Sequence, residues 1–413
     1  MKYTSTLMTQ LAALGAALLF SSAAAGITQE ITAVFVPDPS NPAINKFKNT
    51  TPVSTICANH MPARCAAMGI FSLRAPEFAA DAIAPILANH TDPRQGVMYR
   101  VPSEWRNLTV THVATGETQS VELRIAGVGT NWAMPRPPGV SAWAAPGVSW
   151  QSRWTTAPAP CTSSGFLVAD TSAAAFLWLV PVGAGACSRF PSVDIRWFRL
   201  RQLEYAYEIR TPNPLQMSSG TYTGSTTFSM GPHADFDFGD VMIPAQSTIT
   251  FNFTLEVNHL LKVEIPPGGR RIELVPQGGW QAWLNQGRKP VRLFRDQTFN
   301  ISSSSRFKMR LECQYSDGNT CALRDRTSAQ LVPVNTSVSL PFGLTDEAGQ
   351  PISRRPLRLD GNDTELFQPG LYVDRKPGTL HFEITKENVE QILNQGVAKT
   401  YSGDVTVIWD SEV

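Results

Sequence analysis

The chain has 413 residues, with 35 basic and 34 acidic side chains and a formal net charge of +1. Without a strong field of either sign it does not read as a nucleic-acid-coating protein. Apolar residues make up 42% and charged residues 17%, which argues against wholesale disorder, a collagen or a polytopic membrane protein. At roughly 100–200 residues per domain, the length suggests two or three domains, each large enough for its own core.

The first expected element is a leader. Lys2 supplies a positive start, Leu11 to Phe20 form an apolar run, and Ala23-Ala24-Ala25 place small residues at the −3 and −1 positions. That pattern predicts a secretory signal peptide over residues 1–25, cut before Gly26. The run is shorter than the roughly 20 apolar residues a spanning helix needs. Removing 25 of 413 residues leaves 388, and losing Lys2 leaves 34 basic against 34 acidic side chains.

Six cysteines follow, as Cys57 and Cys65, Cys161 and Cys187, and Cys313 and Cys321. An even count in an exported chain reads as disulfides. Six cysteines allow 15 pairings, of which neighbour pairing is the simplest. Spacings of eight and twenty-six are not those of a zinc knuckle, and only His60 lies among them.

Strand signals then dominate. Val121–Ile125, Thr248–Val257 and Thr379–Ile384 alternate polar and apolar residues, the period of a half-buried strand. Ala173–Val180 is a continuous apolar run that suits a fully buried strand. Arg196–Arg201 is strand-like, with Arg199 and Arg201 on the face of Trp197. Leu260–Ile265 and Arg271–Val275 also alternate. Pro135–Gly139 and Ser302–Ser305 read as loops between strands, and Lys386–Gln395 as a single short helix. The class is all-β, of sandwich type.

Two segments echo each other: Gly220–Ser229 and Lys399–Ile408 both carry Thr-Tyr-x-Gly leading into an alternating strand. Each would lie late in its own domain. Two tandem sandwiches follow, over residues 26–258 and 259–413, with Leu260–Ile265 and Arg271–Val275 opening the second.

Seven of the ten tryptophans precede residue 200, and Trp132, Trp143, Trp150 and Trp154 crowd one Pro/Gly-rich stretch with Arg136 and Arg153. Exposed indoles stack on sugar rings and arginine grips carboxylates, so this stretch is a candidate binding surface; its alternative role is to cover an open end of the sandwich. The six histidines show no metal-ligand spacing, and there is no nucleophile elbow, P-loop or dinucleotide fingerprint. Asp235–Asp240 resembles a calcium loop until the twelfth position, where Gln246 replaces the required Glu; it reads as a turn. No catalytic residue, metal or cofactor is expected. Seven Asn-x-Ser/Thr triplets, at Asn49, Asn89, Asn107, Asn252, Asn300, Asn335 and Asn362, keep a secreted glycoprotein as an alternative, and an exported carbohydrate-active enzyme is a third.

The final segment, Thr400–Asp410, reads as one strand with Tyr401, Val405, Val407 and Trp409 on one face and Ile408 the apolar exception on the other. The chain nearly stops there, which predicts an apolar edge in need of a strand from another chain. At this point the sequence resembles a known family. The export signal, paired cysteines, tandem β domains, Leu261–Pro267 segment and terminal Tyr-x-Gly-x-Val-Thr-Val strand look like the CfaE/CblD-type tip adhesins of class 5 fimbriae, also called pilus biogenesis initiators.

The resemblance implies two immunoglobulin-like domains, an N-terminal receptor-binding adhesin domain and a C-terminal pilin domain that lacks its last strand. It implies that a periplasmic chaperone fills that groove until the major pilin subunit donates a strand at an outer-membrane usher, and that the protein sits at the fimbrial tip and binds a host-cell receptor, expected to be a glycan. On this reading Tyr401, Val405, Val407 and Trp409 form one wall of the donor-strand groove, and Leu261, Val263 and Ile265 the other. The family attributes receptor binding to arginines near the first cysteine pair and late in the adhesin domain. Here those stretches read Lys48–Ile56 and Gly231–Ala234, without an arginine. Arg64, Arg196, Arg199 and Arg201, with Trp132 and Trp143, are the substitute receptor-binding candidates.

Overall fold

A computed structural model describes residues 26–411, apart from 55, 135–140, 145–148, 171, 288, 362–365 and 394–398. The expected leader, the Pro135–Gly139 loop, Asn362 and the last two residues of the expected Lys386–Gln395 helix lie outside the described residues.

Eight strands of the first sheet carry the argument: β1 (Gly26–Phe35), β2 (Ile70–Ala82), β3 (Arg106–His112), β4 (Thr118–Ala133), β5 (Ala173–Leu179), β6 (Arg199–Arg210), β7 (Gly220–Ser229) and β8 (Thr248–Val257). The spatial order is β2-β6-β4-β3-β7-β8-β1, with β5 paired to β4 and two short strands at the ends, Met242–Pro244 beside β2 and Lys48–Asn49 beside β1. Strand β8 shows how alternation becomes packing. Ile249, Phe251, Phe253, Leu255 and Val257 are all buried while their neighbours are partly solvated. It is flanked on both sides, antiparallel by β7 and parallel by β1, the latter in unbroken register from Gly26↔Thr248 to Phe35↔Val257. The apolar run in β5 is buried on both faces at Phe176, Leu177 and Trp178. Glycine at 129 in β4 lets that strand approach, since a Cβ there would collide with the Phe176 carbonyl.

The second sheet follows the linker. It uses β9 (Leu261–Glu264), β10 (Leu293–Ser303), β11 (Lys308–Cys313), β12 (Thr320–Asp325), β13 (Leu331–Ser339), β14 (Val373–Ile384) and β15 (Val405–Asp410). The order is β9-β10-β14-β13-β12, and β11 pairs with β15 as a separate two-stranded ladder. Phe299, Ile301, Phe307, Val332, Val338 and Phe367 centre a core distinct from that of the first sheet. Three disulfides join Cys57 to Cys65, Cys161 to Cys187, and Cys313 to Cys321. The last of these ties β11 to β12.

Several local expectations are corrected. Among the described residues four short α-helices are present instead of one: α1 (Pro62–Met68), α2 (Trp150–Thr155), α3 (Trp280–Gln286) and α4 (Lys386–Leu393). Arg271–Val275 is strand only at Val275; Ile272 and Leu274 pack against the second core from an irregular segment, so their spacing reports burial without a ladder. Arg196–Arg201 enters strand only at Arg199. Ser302–Ser305 is not a solvated loop: all four serines are buried, the first two ending β10. Hydroxyls make that burial tolerable by hydrogen bonding, as Ser302 Oγ does to Asp374 and Ser303 Oγ to the Ser305 carbonyl. Finally, Thr400–Asp410 is two pieces, Tyr401–Ser402 and β15, broken at Gly403-Asp404.

The two cores meet at the linker. His259 Nε2 lies 2.9 Å from the Met217 carbonyl and Nδ1 3.2 Å from Ser304 Oγ, while its ring packs edge-on to Phe35. Arg306 donates to Ser218 Oγ at 3.1 Å. Burial holds the His259 imidazole below its ordinary pKa, so it is neutral, with Nε2–H donated to Met217 and Nδ1 accepting from Ser304.

Candidate functional site

Strand β15 pairs with β11 over its whole length, from Val405↔Cys313 to Asp410↔Lys308, and its other edge has no partner strand among the described residues. Among the described residues strand β9 pairs only with β10, so it too presents an edge without a partner strand there. Each edge carries apolar side chains that lean on the second core yet stay partly solvated: Leu261 and Val263 on β9, Val405, Val407 and Trp409 on β15. Trp409 is held edge-on against Phe299 of β10 at 5.0 Å and lies 5.7 Å from Phe307. This is an apolar surface with free backbone donors and acceptors beside it, the arrangement that accepts an added strand.

Two expected wall residues fall outside these strands. Tyr401 belongs to the short piece paired with β12, and its hydroxyl bonds Gln330 at 3.0 Å, so the break at Gly403 separates it from Val405. Ile265 lies just past the end of β9 and is exposed.

The aromatic candidates need a larger correction. Trp132 and Trp143 are fully buried, so neither offers a face to a sugar. They pack with Trp154 and Phe198, and Trp154 packs in turn with Phe176 and Trp178, at ring separations of 4.5 to 5.9 Å. Arg153 closes this cluster by donating to the carbonyls of Trp143 and Phe190. An indole is worth more inside a core than on a surface, and sequence alone does not say which it will find.

The arginine candidates are scattered. Arg64 donates to the carbonyls of Ser163 and Ser164, so its guanidinium braces the Thr162–Ala169 strand. Arg199 and Arg201 converge on Asp81, at 3.9 and 2.8 Å. Arg199 also covers the Trp197 ring at 3.8 Å. Arg196 is exposed in the segment before β6. The carboxylates of the Asp235–Asp240 turn are taken by arginines: Asp235 by Arg106 at 3.0 Å, Asp237 and Asp240 by Arg94 at 2.8 and 2.6 Å. Among the described residues no group of three His, Cys, Asp or Glu side chains could hold a metal ion.

One cluster invisible in the linear sequence crosses three strands. His381 on β14 holds Asp296 of β10 at 2.7 Å through Nδ1 and Ser339 of β13 at 2.9 Å through Nε2. The order is that of a hydrolytic triad. However, the Arg354 N–H donates to Ser339 Oγ at 2.9 Å, and the neighbouring Leu340 N–H is bonded to the Ile352 carbonyl. Both amides are thus already bonded, and the cluster fastens the 352–354 loop to the sheet. Of the glycosylation triplets, Asn49 already donates its amide nitrogen to the Tyr207 hydroxyl and Asn252 to Glu30.

No family model matches the chain. No curated protein matches it either. Solved structures do. One is CfaE, the adhesive subunit of the CFA/I fimbria of enterotoxigenic Escherichia coli, at 12% identity over 93% of this chain and 92% of that one, with a TM-score of 0.27. Another comes from a chaperone–tip adhesin complex of CFA/I fimbriae biogenesis, at 10% identity over 94% and 97%, TM-score 0.25. A third is the CsuC–CsuE chaperone–tip subunit pre-assembly complex of the archaic Csu pili of Acinetobacter baumannii, at 11% identity over 94% and 98%, TM-score 0.21. At these values no residue is carried from those proteins to this one.

Proposed function

We propose that this chain is an exported adhesive subunit of a bacterial pilus. Its second unit is an incomplete pilin domain completed by a strand from another chain, and its first unit attaches to a host-cell receptor at the pilus tip. The observation that carries the reading is the pair of unpaired edges, β9 and β15, each lined by half-solvated apolar side chains. Covering the remaining exposed surface of five such side chains is worth on the order of 5 kcal/mol, before any backbone hydrogen bond is counted. That is comparable with the whole net stability of a domain, roughly 5–15 kcal/mol. A periplasmic chaperone would supply the strand during export, and a major pilin would replace it at an outer-membrane usher; a subunit at the tip would be the first one assembled.

The test compares residues 26–413 with and without a donor peptide linked after Val413. A large rise in soluble yield and melting temperature on adding the donor is the expected result. Equal yield and melting of the two chains would show that the second sheet is complete without a donor and would remove the assembly reading.

A further inference from the structure

Away from both open edges, the first sheet carries a cavity of about 600 Å³ lined by Arg100, Glu104, Trp105, Asn107, Gly183 and Asp235, among others. Its aromatic wall is built in place. The Arg210 guanidinium sits 3.8 Å from the Trp105 ring centroid, and that of Arg124 5.5 Å away. Arg124 is itself held by Glu208 at 2.6 Å and by the Val180 carbonyl at 3.0 Å. Across the cavity Arg106 is neutralised by Asp235 and stacks over Phe228 at 4.2 Å.

Two charged groups at the cavity are uncommitted. The Arg100 and Glu104 side chains are exposed, and neither has a hydrogen-bonding or ion-pairing partner among the described residues. The Glu104 carboxylate lies over Gly183, where a Cβ would come within 2.7 Å of Oε1, and Gly183 itself has φ +71°. Among the described residues the Asn107 side chain is engaged through its carbonyl oxygen alone, as acceptor from Ser120 Oγ.

These groups match the chemistry of a pyranose. An indole takes the apolar C–H face of the ring. The carboxylate accepts from hydroxyls, while the guanidinium and the Asn107 amide donate to them. Arg106 pairs with Asp235, and the exposed Arg100 and Glu104 are of opposite sign, so the lining has no net formal charge to reward an acidic sugar. We propose that this cavity binds the terminal uncharged hexopyranose of a glycan, with Trp105 as platform and Arg100, Glu104 and Asn107 as hydroxyl partners. The assignment rests on the adhesive reading above.

The full chain, carrying the appended donor strand, is titrated with lactose, N-acetylgalactosamine and sialyllactose, followed by saturation-transfer NMR. Binding of the two neutral sugars is expected, weakened about tenfold or more by Trp105→Ala or Glu104→Ala, partly restored by Trp105→Phe, and unchanged by Trp197→Ala. Melting curves identify any variant that fails to fold, and the exposed Glu104→Ala and Glu104→Gln keep the test available if Trp105→Ala does. No binding of neutral sugars, tighter binding of sialyllactose, or full affinity in folded Glu104→Ala would overturn the assignment. Adhesion of the same chains to epithelial cells separates the two readings. Undiminished adhesion by Trp105→Ala and Glu104→Ala removes the cavity assignment alone, whereas no adhesion by the unsubstituted chain removes the adhesive reading.

Discussion

The Thr-Tyr-x-Gly phrase lies inside strand β7 and just ahead of β15, and the two strands end in different circumstances. Strand β7 lies between β3 and β8, and its Tyr222 and Phe228 are fully buried. Strand β15 has a partner on one side only, and Val405, Val407 and Trp409 stay partly solvated. The alternating pattern is alike; what differs is the neighbour. In the first sheet the position beside β7 is filled by β8, drawn from the same chain, and nothing among the described residues fills the position beside β15. A strand's local sequence encodes which face is apolar and leaves its lateral pairing to the rest of the fold.

The largest expected effect tests that contrast directly. Phe251→Ala in β8 should cost about 3–5 kcal/mol, because it empties a closed core. Trp409→Ala in the chain alone should cost clearly less, about 1–2 kcal/mol for a side chain already half in water. Its cost should rise once a donor strand covers it. Chemical denaturation with and without the donor measures both, and equal costs for Trp409→Ala in the two states would break the comparison.

The disulfides sharpen it. Cys57–Cys65 and Cys313–Cys321 close loops of the same sequence separation, 8 residues. By loop entropy, removing either to serine should cost a similar amount, about 2–3 kcal/mol. Loss of the second should nevertheless depress soluble yield more, since the sheet it braces is the one with open edges. A donor strand should erase that difference, and a yield loss that the donor leaves unchanged would count against it.

The smallest effect lies at the joint between the two cores. His259→Ala removes two hydrogen bonds there, worth about 1 kcal/mol each. Because burial depresses the His259 pKa, its contribution is fully present above the unfolded value of about 6.5 and is lost as pH falls through that value toward the folded one. Protonation at Nδ1 would also force the Ser304 hydrogen bond to reverse direction and place a charge near Arg306. Contact between the two units, followed by fluorescence transfer across the linker, should therefore weaken from pH 7.5 to pH 5, and His259→Gln should flatten the dependence. A pH-independent signal in the unsubstituted chain would remove His259 from the joint's energetics.

Much of the strand framework was legible, since alternation in Thr248–Val257 maps residue for residue onto β8. The same signal misled at Arg271–Val275, where Ile272 and Leu274 bury themselves without a partner strand. Composition could not separate a tryptophan cluster that fills a core from one that greets a ligand, and Trp132 and Trp143 proved to be the former. Trp105 drew no attention because it stands apart from that stretch; its cavity is assembled from the 100–107 segment, the 183–185 loop and Asp235, which only the fold brings together. The Asp296–His381–Ser339 chain was unreadable for the same reason, being a product of register between strands.

The parallel ladder between β1 and β8 bears on the order of events during synthesis. Gly26 pairs with Thr248, about 220 residues later in the chain, so beyond the two-residue ladder with Lys48–Asn49 the strand cannot find its long partner until nearly the whole first sheet has been delivered. Throughout that interval Ile27, Ile31 and Phe35, all buried in the finished fold, are open to water and to other chains. Closure of the first sheet is therefore a late, non-local step, and slowing delivery of the 248–257 segment should lengthen the period in which the newly made chain is vulnerable to proteolysis and aggregation.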